Sequence, residues 1–128
     1  MKRSSKTVGR DRGAVAVEFA LVAPILLALV AGIVEFSHAY NLQISVTQAA
    51  REAARTMALK DDQSKAALAA IAGAPGLSGE DLELDFAPAA CSDEEDITVT
   101  VTYPASTLTG LFGSTVTVTG VGAMRCGG

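Results

Sequence analysis

The stretch that most constrains this chain is Ala14 to Val34, 21 residues that are nearly all apolar. At 1.5 Å per residue a helix of that length reaches roughly 30 Å, the thickness of a bilayer core. One residue breaks the pattern of a plain anchor. Glu18 lies inside the run, and an ionised carboxylate in hydrocarbon costs about 2.5 kcal/mol or more. An acid in that place needs a partner and marks a functional position.

Charge is distributed unevenly around this run. Before it stand five basic residues, Lys2, Arg3, Lys6, Arg10 and Arg12, against one acid, Asp11. From Phe36 onward there are five basic and eleven acidic residues. A basic flank before a membrane segment reads as the cytoplasmic side, so the remainder is expected outside. Its acidic balance gives no reason to expect nucleic-acid binding. The 128 residues leave room for one small domain beyond the span, and the absence of Trp keeps its core modest.

Met1 to Gly13 also reads as a secretory n-region, with Ser37-His38-Ala39 as a cleavage site ahead of Tyr40. The apolar run is longer than a usual signal peptide allows, and Glu18 and Glu35 suit one badly. A second reading begins at Gly13. A basic leader is followed by Gly13, four residues, Glu18 and an apolar helix. This string resembles the type IV pilin signature. With Pro24, the segment Gly32 to Phe36 and the segment Gln48 to Arg55, the first 55 residues resemble the TadE-like minor pilins (pseudopilins) of tight-adherence pili. The resemblance implies cutting after Gly13 by a prepilin peptidase, with Ala14 as the new N-terminus. Glu18 would then pair with the terminal amine of a neighbouring subunit and fix the register between them. The implied partners are the peptidase, other pilins and pseudopilins of the system, and the pilus assembly platform. The implied location is the cytoplasmic (inner) membrane or a surface pilus.

Pro24 frees the carbonyl of Ala20 and weakens the helix there. Either it is simply tolerated in a membrane helix or it serves bending between subunits. Gly32 and the alanines offer small faces for helix packing. Glu35 and His38 mark the outer interface, with His38 solvated.

Beyond Phe36 the helical pattern runs unbroken to about Leu59. Leu42, Val46, Ala49, Ala50, Ala53 and Met57 share one face, and Gln48, Arg51, Glu52 and Arg55 the other. Ala14 to Leu59 is therefore expected as one rod of roughly 70 Å. Glu52 and Arg55 can pair at i,i+3, and the two arginines are candidates for contacts between subunits. Asp62 or Ser64 can cap a second helix, Lys65 to Ala72, which Gly73 to Gly76 stops.

Three alternating runs follow: Leu82 to Phe86, Ile97 to Tyr103, and Thr115 to Thr119 continuing towards Met124. Gly120 and Gly122 suggest a bulge in the last. The segment Pro104 to Ser114 reads as a loop whose Leu108, Leu111 and Phe112 form a helical turn or an exposed apolar contact. The expected fold is α+β. A long helix spans the membrane in its first half, and its outer half carries a short second helix and a small three-stranded antiparallel sheet. The boundaries are a leader at 1–13, a transmembrane helix at 14–35, its extramembrane continuation at 36–60 and a small domain at 61–128.

Cys91 and Cys126 flank the second and third strands and are expected to form a disulfide. Their spacing matches no metal motif. The acidic run Asp93 to Asp96 reads as a solvated turn ahead of a calcium site. No nucleophile–base pair, metal cluster or phosphate loop is visible, so neither an enzyme nor a cofactor is expected. A different class stays open: an uncleaved single-pass anchor whose small domain binds a surface ligand, or, third, a secreted domain starting at Tyr40.

Overall fold

A computed structural model describes residues 8–127 of the chain. Leader residues Lys2, Arg3 and Lys6 lie outside the described residues. Helix α1, Val8–Lys60, has 53 residues and begins ahead of the expected Ala14. Its Ala- and Leu-rich composition sustains it, and Pro24 is accommodated inside it. The contacts divide the chain into two compact units, with the boundary between Val34 and Glu35.

The first unit is the apolar stretch of α1. Its large side chains from Val15 to Val34 are exposed, including Phe19, Leu21, Ile25, Leu27 and Ile33. Among the described residues no other helix is long and apolar enough to cross a membrane. This helix is long and apolar enough to span a bilayer, and the arrangement fits a single-pass membrane protein.

The second unit, from Glu35, holds the outer part of α1, a short helix and the sheet. Asp61 ends α1 in a left-handed conformation, φ 45°, with its N–H donating to the Met57 carbonyl at 2.8 Å. An aspartate tolerates that conformation better than most side chains. Asp62 then caps α2, Gln63–Gly73, accepting from the Lys65 N–H at 3.0 Å. Both the backbone N–H and the ammonium of Lys65 hold the Asp62 carboxyl below its usual range. The ammonium lies 3.1 Å from Asp62 Oδ2. Among the described residues this is the ion pair that forms; the expected Glu52–Arg55 pair does not.

The sheet follows: β1, Glu83–Ala87; β2, Asp96–Ser106; β3, Thr115–Arg125. It is antiparallel, in the order β1-β2-β3. Strand alternation puts Ile97, Val99, Val101 and Ala105 of β2 into the core. Opposite them lie Val46, Ala49, Ala50, Ala53, Ala54, Met57 and Ala58 of α1, with Leu42 at the edge. The alanine-rich face of the helix is thus spent on the chain's own sheet.

Two strand expectations change. β2 continues through Pro104 to Ser106 instead of ending at Tyr103. β1 reaches only to Thr102, so β2 is a sheet edge at Pro104, where a missing N–H costs no ladder bond. β3 has no bulge at Gly120 or Gly122, because its register with β2 is one-to-one from Thr115 to Arg125. The glycines serve close approach instead. A Cβ on Gly120 would sit 2.7 Å from the Val46 carbonyl oxygen, and one on Gly122 would overlap the Ala50 carbonyl. β3 lies directly against the backbone of α1, and only glycine fits there. At the ends of this contact Gln43 Nε2 donates to the Thr119 carbonyl at 2.8 Å, and the Gly127 N–H to the Ala58 carbonyl at 3.1 Å.

Cys91 and Cys126 form the expected disulfide. The Cys126 N–H donates to the Glu95 carbonyl at 2.8 Å, extending the β2–β3 pairing to the bridge. Asp61 Oδ1 accepts from the Cys91 N–H at 2.6 Å, tying the bridge to the corner between the helices. With the cysteines 35 positions apart in sequence, chain entropy assigns the bridge about 4 kcal/mol. Cys126→Ser is therefore expected to lower stability by about 2–4 kcal/mol, read as a drop in urea midpoint. An unchanged midpoint would mean the bridge constrains nothing that packing does not.

Candidate functional site

Two places in the chain combine exposure with unusual chemistry, and each is described within its own unit.

In the first unit, Gly13, Ala14 and Glu18 lie on α1 and are exposed. A Cβ at Gly13 would meet nothing within 4 Å, so the absence of a side chain there is not a packing requirement of this fold. Glu18 is surrounded in sequence by Val15, Val17, Phe19 and Leu21, each more than half exposed. Among the described residues no side chain or backbone group pairs with its carboxylate. Pro24 lies inside the same exposed stretch. Such a surface is unstable in water: at about 25 cal/mol per Å² it favours removal into lipid or against other apolar helices.

In the second unit, Glu35 directly follows the apolar run and is buried, at 7% exposure. Its carboxylate accepts from the loop between β2 and β3. The Leu108 N–H lies 3.0 Å from Oε1 and 3.1 Å from Oε2. The Thr109 N–H and hydroxyl donate to Oε2 at 2.9 and 3.1 Å. These are donors only, the set an ionised carboxylate accepts. The loop is further closed by the Thr107 N–H on the Ser114 carbonyl at 3.1 Å, and by the Thr107 hydroxyl on the Gly113 carbonyl. Gly110 and Gly113 take left-handed φ of 71° and 98°, which close the turn without a helix. Leu108, Leu111 and Phe112 therefore form an exposed apolar contact and not a helical turn. His38 is half-buried. The sequence signal for the Glu35 clamp was weak. Its donors lie 73 and 74 residues away, and only an acid at the end of an apolar run hinted at it.

Arg51, Glu52 and Arg55 are exposed on the outer part of α1. Arg51 and Glu52, with Gln48, Ala69, Ala72 and Gly73, line an open groove of about 630 Å³ against α2. Arg55 is not part of it. Asp93 to Asp96 is an exposed turn in which Glu94 has φ 70°. Among the described residues no group of three His, Cys, Asp or Glu side chains is placed to hold a metal ion.

A family model described as TadE-like protein matches residues 13–55. No curated protein matches the chain, and no solved structure does. The match opens on Gly13 and closes on Arg55, covering both the exposed apolar stretch and the helix face that carries the sheet. Over residues 13–55 the chain is similar to the TadE-like family.

Proposed function

We propose that the protein is a TadE-like minor pilin (pseudopilin) that takes part in building a tight-adherence pilus. The observation that carries this reading is the family match, which begins on Gly13 and takes in Glu18. On this reading the chain is inserted with its basic leader in the cytoplasm and its sheet domain outside. A prepilin peptidase cuts after Gly13 and frees an α-amino group on Ala14. The Glu18 carboxylate of one subunit meets that amine on a neighbour, which offsets part of the cost of holding both charges in lipid. The exposed apolar side chains from Val15 to Val34 pack against lipid first and against sibling helices in the assembly. Pro24, Arg51, Glu52 and Arg55 are the further positions proposed for packing or subunit contact. The role is structural and needs neither catalysis nor a cofactor.

The test is the Gly13→Leu variant in cells that hold the peptidase. It is expected to keep its leader and migrate as the precursor, while the parent is shortened. Equal shortening of both would remove Gly13 from the reading.

A further inference from the structure

We propose that the Thr107 to Gly113 loop is a lipid-contacting foot, which rests in the outer membrane–water boundary beside the point where α1 leaves the bilayer. This rests on the reading that residues 14–34 cross a membrane. Glu35 is peptide-bonded to Val34, the last residue of the apolar run. Its carboxylate holds the Leu108 and Thr109 N–H groups at 2.9–3.1 Å. The clamp and the peptide bond together keep the loop within a few ångströms of the exit level. At that level the loop presents Leu108, Leu111 and Phe112, exposed by 57%, 63% and 70%.

The distribution of charge points to lipid as the occupant. No charged side chain occurs between Asp96 and Arg125, the whole β2–β3 hairpin between its open ends. On α1 no Asp, Glu, Lys or Arg occurs between Glu35 and Arg51, only His38 being titratable there, and Phe36 and Tyr40, with ring centroids 6.4 Å apart, are exposed. The charged groups of the unit lie elsewhere: Arg51, Glu52 and Arg55 further along α1, Lys60, Asp61, Asp62 and Lys65 at the helix corner, Glu80, Asp81, Glu83 and Asp85 before and on β1, and Asp93 to Asp96 with Arg125 near the disulfide. An exposed apolar loop and a helix segment without Asp, Glu, Lys or Arg, both tied to Glu35, suit a membrane boundary. Aromatic and leucine side chains gain there, and no ion is desolvated. The Glu35 charge is spent on the loop's own N–H groups, which removes the one acid that would oppose such contact.

The chain has no Trp, so single Trp variants report depth without interference. Full-length Phe112→Trp, Leu68→Trp and Leu27→Trp proteins are reconstituted in phosphatidylcholine vesicles. The lipids carry bromine either near the headgroup or near the chain ends. Leu68 is exposed on α2, away from Glu35 in the fold, and serves as the reference. The expected result is deep quenching for Leu27→Trp, and shallow quenching for Phe112→Trp several-fold above that of Leu68→Trp. Adding Leu111→Asp to Phe112→Trp should bring its quenching down to the reference. Quenched Leu27→Trp with Phe112→Trp at the reference level would overturn the foot and leave the span standing. Unquenched Leu27→Trp would overturn both. A blue-shifted but unquenched Phe112→Trp would mean that another protein surface covers the loop, which also overturns the proposal.

Discussion

Gly122→Ala is expected to separate the sheet from α1 and to lower stability by about 3 kcal/mol, the upper end of what overpacking costs. The added methyl would overlap the Ala50 carbonyl and crowd the Arg51 nitrogen, both backbone atoms. A flexible side chain could turn away from such a group, but a helix backbone cannot. β3 would have to lift from α1, opening the core that Ala49, Ala50 and Ala53 share with Val99 and Val101. A small domain holds about 5–15 kcal/mol in total, so the loss is a large share. Thr117→Ala, on the exposed face of the same strand, should stay within about 0.5 kcal/mol of the parent. Urea unfolding of the full chain in detergent separates the two. A Gly122→Ala protein as stable as the parent would refute the close packing of β3 on α1.

Glu18→Leu should leave processing intact and abolish assembly. In lipid the substitution removes a charge and favours insertion by about 2.5 kcal/mol. A plain anchor would therefore be unharmed or improved. In an assembly where Glu18 meets the Ala14 amine, the variant leaves that amine buried without a partner. Breaking such a pair costs about 3–5 kcal/mol, roughly 10²–10³-fold in subunit association. The measurement is recovery of the protein in heteromeric pilin complexes, alongside its mass. Recovery equal to the parent's would favour the uncleaved anchored binding module.

The parts of the fold written in local periodicity were legible in the sequence. The three- and four-residue spacing of Val46, Ala49, Ala50, Ala53 and Met57 marked the core face of α1, and alternation marked Ile97, Val99 and Val101 of β2. The cysteines flanking β2 and β3 marked the disulfide. What failed depended on partners remote in sequence. A glycine in a strand signals a bulge or a close neighbour, and nothing local distinguishes them. The backbone of Ala50 decided it for Gly122. Pro104 reads as a stop unless the shortness of β1 is known. The donors of Glu35 are hidden in the same way, because the returning loop that brings it N–H groups lies more than 70 residues on. Of the candidate site, Glu18 stood out as an acid inside the apolar run, Gly13 and Ala14 were named through the resemblance to the pilin signature, and the loop clamp depended on tertiary contact.

The central claim is that the mature chain begins at Ala14. The direct measurement is the mass of the intact protein and of its N-terminal peptide, from cells with and without their prepilin peptidase. The account predicts a chain beginning at Ala14 only where the peptidase is present. A chain beginning at Met1 in both would contradict it and leave an uncleaved anchor.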